Sequence, residues 1–354
     1  MRSLRCIVAA ATATVVLAGC SSGRDEIVVY VSADETVARP ILAKFTETTG
    51  IRVRPKFDTE ATKTSGLAAV LRAERDHPRA DAFWSSEVFM TVQLAEEGVL
   101  APHRSADAEA WPASFRGDDF RWFGFAARAR VIAFAPSRVA EHEQPTAWAD
   151  LSRDWWKGRL AMADPQLGTT RGHMGALRTW WDGRLMPGYF NAFAEGLGAT
   201  GIRLLTTGNS GVVEAIVAGE ADAGMTDTDD VWAAQARGAE LAFVYPRFDK
   251  DDSVRGGGTL LIPNTVGVVA GAPHPQLAAR FVDFMLSPLV ERMLLESDSH
   301  NVPLRPERLP PELHDLVERY RVPDPVRIDY AAAARAMDGA VETLVTKVRA
   351  AGPG

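Results

Sequence analysis

Cysteine is almost absent from the chain, and the two cysteines present, Cys6 and Cys20, both lie near the N-terminus. A disulfide framework or a cysteine-ligated metal cluster therefore cannot hold the body of the protein together. The 354 residues also lack a positive charge balance, because 46 Asp and Glu outnumber 39 Lys and Arg, for a net charge of −7. This balance argues against a nucleic-acid-binding protein, which needs a basic face to meet phosphates.

Long apolar runs and familiar catalytic motifs are missing as well. Beyond the N-terminus, no uninterrupted apolar stretch approaches the roughly 18 residues expected of a membrane-spanning helix. The sequence contains no nucleophile elbow, zinc-protease, P-loop or dinucleotide-binding motif, so nothing in it indicates an enzyme. Its composition, 46% hydrophobic and 24% charged, is typical of a globular protein, and its length indicates two domains or lobes.

The N-terminus has the pattern of a targeting signal. Two arginines precede an apolar run at 6–18, which leads into Leu-Ala-Gly-Cys20 and a polar Ser-Ser-Gly. This pattern resembles a bacterial lipobox, which implies a lipoprotein signal peptide at 1–19, lipid attachment at Cys20, and an anchor and tether at 20–26. The alternatives are an ordinary signal peptide or a chance cysteine in an apolar helix.

Hydrophobic patterning over the next sixty residues predicts alternating strands and helices. A continuous β-branched run is typical of a strand with both faces buried, and Gly50 ends a helical pattern. The predicted elements are a strand at 27–31, a helix from about 32–35 to Gly50, a strand at 51–55, a helix at 64–75 and a strand at 80–84. This order predicts a parallel sheet with crossover helices.

The remaining pattern repeats this rhythm. Strands are predicted at 130–136, 160–163, 201–205, 223–226, 241–245, 260–262 and 266–270, and helices at 148–151, 171–181, 212–218 and 276–286. The chain would pass between two α/β units near 125–135 and 225–245. We therefore expect mixed, mostly parallel sheets in two lobes joined by a two-crossing hinge, with the ligand in the cleft. Lobe 1 would comprise 27–125 and 240–300, and lobe 2 would comprise 126–239 and 301–354 with the C-terminal helices.

Several segments, in order, resemble the solute-binding proteins of ABC importers, in particular their ferric-iron-binding branch (family 1). The segments are 29–32, 45–53, 80–87, 94–102, 218–224, 263–266, 271–275 and 284–288. The resemblance implies a type II periplasmic-binding-protein fold. It also implies an extracytoplasmic receptor, not an enzyme, that captures a small molecule or metal and delivers it to a membrane permease and its ATPase.

The expected metal site of that branch is missing here. The resemblance implies an adjacent pair of tyrosines, but the corresponding stretch is 226–230, and none of the five tyrosines is adjacent to another. The early cleft loop has Ala-Asp-Glu at 33–35, where many iron binders place a histidine. If iron binds, carboxylates would have to hold it, and Asp227, Asp229 and Glu87 are the candidates.

Two loops before helices in the second lobe are candidate anion sites. Thr169, Thr170 and Arg171 combine hydroxyls, a guanidinium and free backbone N–H groups at a helix N-terminus, which favours an anion. The alternative is a helix cap with a surface arginine. Asn209 and Ser210 begin a second helix in the same way.

An acidic cluster follows the strand at 223–226. Asp227 and Asp229, ahead of Asp230, could recognise an ammonium group or a metal. They could equally be solvated residues at the start of a helix.

The first lobe contributes a further set of candidate contacts. They are Ser32, Asp34, Trp84, Ser85, Ser86 and Glu87. The serines could serve only as helix caps, Trp84 could stack on a ligand or pack in the wall, and Glu87 could belong to a first helical turn.

These residues predict a small anionic or zwitterionic solute, for example a phosphonate, with no cofactor. The main alternative ligand is Fe³⁺ with a synergistic anion, carried as cargo. An extracytoplasmic sensor subunit and a degenerate transferase-like enzyme are the alternatives in function.

Overall fold

The computed structural model describes residues 25–58, 64–249 and 257–351. The predicted signal peptide at 1–19, Cys20 and most of the tether at 20–26 lie outside the described residues. The strands are β1 (Glu26–Val31), β2 (Arg52–Phe57), β3 (Ala82–Ser85), β4 (Leu100–Ala101), β5 (Phe123–Phe134), β6 (Leu160–Ala163), β7 (Arg203–Leu205), β8 (Ala223–Asp227), β9 (Ala242–Val244) and β10 (Leu261–Val269).

Twelve α-helices are found among the described residues. They are α1 (Glu35–Thr49), α2 (Ser65–Ala73), α3 (Phe89–Glu96), α4 (Ala106–Glu109), α5 (Gly168–Arg184), α6 (Tyr189–Ala199), α7 (Gly208–Val217), α8 (Thr228–Ala236), α9 (Pro275–Met285), α10 (Pro288–Glu296), α11 (His314–Tyr320) and α12 (Tyr330–Ala350).

The strands form one mixed sheet whose order is β2-β1-β3-β10-β5-β8-β6-β7. The two ends of this sheet, β2-β1-β3 and β8-β6-β7, are parallel. Antiparallel pairs are formed by β5 and β10 in the middle. The sheet thus has a first half around β1 and a second half around β6, and the predicted mixed α/β architecture is confirmed.

Strand β5 belongs to both halves of the sheet. All twelve of its residues are buried. Its first part pairs with β10, and its last part, from Arg130 onwards, pairs with β8 and β9. Because one continuous strand serves both halves, side chains on β5 lie at the junction between them.

One strand, β10, takes the place of the two that the sequence predicts at 260–262 and 266–270. The pairing of β10 with β5 shifts register between Pro263 and Asn264, since proline has no N–H to donate to the ladder. Opposite the shift, Ala126 adopts a positive φ of 35°. Asn264 Nδ2 donates to the Ala126 carbonyl at 2.7 Å, so a side chain continues the hydrogen bonding across the break.

The C-terminal helix α12 packs on both halves. It lies against α5 and α6 of the second half and against α3 of the first. Asp329 begins it by accepting the backbone N–H groups of Ala331 and Ala332, both at 2.9 Å. On the first half, Gln93 Nε2 donates to the Ala334 carbonyl at 3.2 Å.

The predicted lobe boundaries stay a prediction, although strand β9 pairs only with the second-half part of β5. Within residues 25–58, 64–249 and 257–351, no helix combines the length and apolar character needed to cross a membrane.

Candidate functional site

A cavity of about 270 Å³ lies between the two halves of the sheet, near the ends of β1, β6 and β8. The lining residues include Asp34, Thr64 and Ser86 from the first half, Asp164, Thr169, Thr170, Asn209, Ser210, Asp227, Asp229 and Asp230 from the second, and Arg128, Asn264 and Asn301 near the junction. This is the cleft position that the sequence predicts for a ligand.

Asp227 is the centre of the hydrogen-bond network in the cavity. It ends β8 and is 1% exposed. Its Oδ1 accepts Arg130 Nη1 at 2.9 Å. Its Oδ2 accepts Arg128 Nε at 3.1 Å, Thr169 Oγ1 at 2.9 Å and Asn209 Nδ2 at 2.8 Å. Four groups from three parts of the chain therefore hold this one carboxylate in place.

The charges in this network keep one another ionised. Burial tends to raise the pKa of Asp227, but the charges of Arg130 and Arg128 outweigh burial and lower that pKa below its usual value. Burial tends to lower the pKa of Arg128, but Asp229 and Asp227 raise it above its usual value. The cavity floor thus carries fixed charges of both signs.

Among the described residues, three aspartates form a cluster that could hold a metal ion. Ligand atoms of Asp227, Asp229 and Asp230 all lie within 4.8 Å of one another. Asp229 and Asp230 lie in the first turn of α8 and are less buried than Asp227. Carboxylate oxygens suit hard cations. However, Arg128 Nε lies 3.6 Å from Asp229 Oδ2, so a guanidinium already neutralises part of this cluster.

Arg130 and His173 form a buried layer beneath the cavity. Arg130 Nε donates to His173 Nδ1 at 3.4 Å, and the His173 ring packs 4.2 Å from the Trp148 ring. Burial and the charge of Arg130 hold the pKa of His173 well below its usual value. His173 is therefore neutral and supports the network from below.

Two helices begin at the cavity wall, and both start with a glycine at positive φ. The φ of Gly168 in α5 is 54°, and that of Gly208 in α7 is 76°. Only a residue without a Cβ adopts this conformation easily. Between the two helix starts, Asn209 Nδ2 donates to Thr169 Oγ1 at 2.7 Å. The two glycines therefore direct both helix starts towards Asp227.

On the first-half side of the cavity, Thr64 and Ser86 line the wall, and Ser32 and Ser85 lie behind them. Ser32 Oγ accepts the Ser86 N–H at 3.0 Å and the Thr64 hydroxyl at 3.3 Å, and donates to Ser85 Oγ at 3.4 Å. These bonds join the ends of β1 and β3 to the start of α2. The face is neutral apart from Asp34, which is exposed.

Glu87 acts as a cap of α3. Its carboxylate accepts the backbone N–H groups of Phe89 at 2.7 Å and of Met90 at 3.0 Å. Burial raises the pKa of Glu87 to about 7, although these two hydrogen bonds lower it in part. The side chain is buried and does not line the cavity.

The structure brings together only some of the predicted contacts. Asp34, Ser86, Thr169, Thr170, Asn209, Ser210, Asp227 and Asp229 line the cavity, whereas Ser32, Trp84, Ser85, Glu87 and Arg171 do not. Trp84 packs in the core, with its ring 5.9 Å from that of Phe125. Arg171 instead pairs with Asp338 of α12 at 2.6 Å. A ligand-binding role for any of these residues stays a prediction.

Sequence reasoning missed Arg128 and Arg130, the two basic groups of the site. Both lie in an apolar strand and are spaced two residues apart, which places them on one face of the strand. A buried arginine needs a nearby counter-ion, so this spacing was the available signal. Asn264 and Asn301 gave no such signal, because each belongs to the site only through long-range contacts, such as their mutual hydrogen bond of 2.8 Å.

Comparison with known proteins gives consistent matches over most of the chain. A family model described as bacterial extracellular solute-binding protein matches residues 27–297. Iron uptake protein A1 of Synechocystis sp. is 26% identical over 284 residues, covering 78% of this chain and 75% of that protein. The Fe(3+)-binding periplasmic protein of Serratia marcescens is 26% identical over 277 residues, covering 76% of this chain and 75% of that protein.

Solved structures give the same result for the fold. Iron-bound HitA from Pseudomonas aeruginosa matches with a TM-score of 0.74 and 22% identity, over 93% of this chain and 99% of that one. Such neighbours are type II periplasmic binding proteins, so the predicted type II fold and the predicted resemblance to the ferric-binding branch are confirmed. The chain belongs to the family of bacterial extracellular solute-binding proteins.

Proposed function

We propose that this receptor captures ferric iron in the cavity between its two halves and delivers it to an ABC permease. The observation that carries this proposal is the charge of the cavity. Among the described lining residues, five are aspartates and one, Arg128, is basic. An excess of carboxylates attracts a multivalent cation and repels a phosphonate, so the ferric alternative fits better than the anionic solute that the sequence favours.

The donor atoms of this cavity suit iron. Fe³⁺ is a hard cation that prefers anionic oxygen, and the cluster of Asp227, Asp229 and Asp230 supplies carboxylates within 4.8 Å of one another. No tyrosine is found among the described lining residues. We propose that Asp229 and Asp230, which are less buried than Asp227, are the principal ligands. A synergistic anion at the starts of α5 and α7 would complete the coordination.

The similar proteins support this ligand through their names. Iron uptake protein A1 and the Fe(3+)-binding periplasmic protein, the relatives described above, are both named for iron. We propose the same cargo for this chain, together with a role in transport without catalysis. Closure of the two halves on the ligand would create the form that the permease recognises.

A thermal-melt panel tests the cargo. The full-length protein would be compared in ferric citrate, ferric ion with bicarbonate, Mn²⁺, phosphate and aminoethylphosphonate. A ligand at a hundredfold its Kd adds about 2.7 kcal/mol, which raises the Tm by roughly a few degrees. We expect a shift with the ferric salts. A shift with the phosphonate alone would overturn the iron proposal.

We also propose that a lipid on Cys20 attaches the receptor to the membrane. Support comes from the lipobox-like sequence, and the family itself is extracytoplasmic. Fractionation of cells that express the full chain or its Cys20→Ser variant would test the anchor. The membrane fraction should hold the first and lose the second, and an equal distribution would contradict the proposal.

A further inference from the structure

The two arginines of β5 differ in how tightly the structure holds them. Arg130 is 0% exposed, and its guanidinium bonds to Asp227, Asn209, Thr169 and His173. Arg128 is 7% exposed and lines the cavity. The described contacts of its guanidinium are those of Nε with Asp227 at 3.1 Å and Asp229 at 3.6 Å.

We propose that Arg128 is an exchangeable internal cation: its guanidinium neutralises the aspartate cluster when no metal is bound, and it must leave Asp229 when a metal enters. The inference rests on the proposed function, since it takes this cluster as the position of the metal. It assigns to Arg128 a role in setting cation affinity, which is distinct from ligand binding.

The electrostatics of the cluster require such an exchange. A guanidinium and a multivalent cation that share the same carboxylate repel each other strongly in a partly buried site. Asp227 keeps Arg130, Thr169 and Asn209 as partners after Arg128 leaves. The change is therefore the loss of the Arg128 contacts with Asp227 and Asp229, and the Arg130 network beneath the cavity stays intact.

An internal competitor affects which cations the receptor can hold. Every metal must displace the same guanidinium, so each loses a similar part of its binding free energy. Divalent ions, which the carboxylates attract less strongly, then no longer bind appreciably. A trivalent ion is attracted more strongly and still binds. Arg128 would also limit repulsion among the three aspartates while the cavity is empty.

The test combines metal affinity with stability of the metal-free protein. Tb³⁺, a hard trivalent ion with useful luminescence, would be titrated alone, without chelator or bicarbonate, into full-length wild type, Arg128→Gln and Arg128→Lys. We expect Arg128→Gln to bind Tb³⁺ at least about tenfold more tightly than wild type and to have a lower Tm in chelator. Arg128→Lys keeps the charge and should stay close to wild type in both measurements.

Arg138→Gln is the matched control. Arg138 pairs with Asp222 at 2.7 Å outside the cavity, so this variant has the same change of charge and should not change Tb³⁺ affinity. A purely structural role for Arg128 would lower the Tm of Arg128→Gln without tightening Tb³⁺ binding. Unchanged or weaker Tb³⁺ binding by Arg128→Gln therefore overturns the inference.

A second variant covers the case in which Arg128→Gln fails to fold. Arg128→Gln with Asp229→Asn removes both members of the pair. It should fold with a Tm near that of wild type and should lose the gain in Tb³⁺ affinity; a Tb³⁺ affinity above that of wild type would contradict the exchange at Asp229. If Arg128→Gln tightens Tb³⁺ binding but wild type responds to no ferric salt, the proposed cargo is wrong and the exchange stands.

Discussion

The two faces of the cavity offer a ligand different chemistry. The second-half face carries Asp227, Asp229 and Asp230, with the arginines of β5 beside them. The first-half face carries Asp34 and the hydroxyl residues Thr64 and Ser86, which are hydrogen-bonded to Ser32 behind them. Most of the charge that lines the cavity therefore lies on the second half. On the first half, the hydroxyl groups already bond to one another.

The largest effect is expected at the centre of the charged face. Asp227→Asn leaves the buried Arg130 without its anionic partner, which should cost about 3–5 kcal/mol of unfolding free energy. Urea unfolding of the metal-free protein measures this loss. Asp222→Asn is the control, since Asp222 also pairs with two arginines, Arg138 and Arg159, but in a more exposed position. An equal loss of unfolding free energy in both variants would show that the buried ion pairs of Asp227 contribute no more to stability than the more exposed pairs of Asp222.

The next effect concerns Glu87, a charged group buried behind the hydroxyl face. Its pKa is raised by burial to about 7, from a usual value of 4.5. Because the folded pKa is the higher one, protonated Glu87 favours the fold below about pH 4.5, and this contribution is lost as the pH rises through 7. Wild type should thus lose up to about 3 kcal/mol over this range.

Glu87→Gln should remove that loss, since glutamine does not titrate. Urea unfolding at pH 5 and pH 8 should show that the unfolding free energy of Glu87→Gln rises relative to that of wild type as the pH rises. The surface change Glu97→Gln controls for the lost charge. A stability difference for Glu87→Gln that does not change with pH would show that Glu87 ionises in the fold as freely as in solution.

A smaller effect is expected where helices of the two halves touch. A Cβ on Gly172 of α5 would lie 1.8 Å from the Phe89 ring of α3. Gly172→Ala should therefore cost about 1–3 kcal/mol of unfolding free energy. Gly183→Ala in the same helix meets nothing within 4 Å and should stabilise by about 0.5–1 kcal/mol. If thermal or urea unfolding shows the same sign for both variants, the close packing of α5 on α3 is not a constraint.

The smallest effect belongs to the hydroxyl face. Ser32→Ala removes the acceptor of the Ser86 N–H and should cost about 1 kcal/mol. Its effect on ferric affinity should be less than about threefold, since no charge is lost. Melting curves and a ferric citrate titration would measure both quantities. A loss of affinity above tenfold would show that the first half takes a direct part in recognition.

Local patterns predicted the first half of the fold well. The β-branched run of β1 and the glycine end of α1 are confirmed, since Gly50 has a φ of 74°. The pattern at Pro263 was misread as a break between strands, because the hydrogen bond from Asn264 to Ala126 that spans it joins distant parts of the chain. Helices α6 and α12 were not predicted individually, although Asp329 and the alanines after it form a recognisable helix start.

The candidate site was harder to predict than the fold. Residues at or after the ends of strands, such as Thr169, Asn209 and Asp227, were found because strand ends and helix starts meet at one edge of the sheet. Glu87 and Trp84 follow the same rule, yet one caps a helix and the other packs in the core. The roles of Arg128 and Arg130 depend on contacts with Asp227, nearly a hundred residues away, which local patterns do not record.

Iron binding by Asp229 and Asp230 of α8 can be measured from the iron content of the loaded protein. Wild type and Asp229→Asn with Asp230→Asn would be loaded with ferric citrate, passed over a desalting column and analysed for iron per chain. We expect close to one iron per wild-type chain and little in the double variant, provided that circular dichroism shows both to be folded. Iron-free wild type, or equal iron in the two proteins, would contradict this expectation.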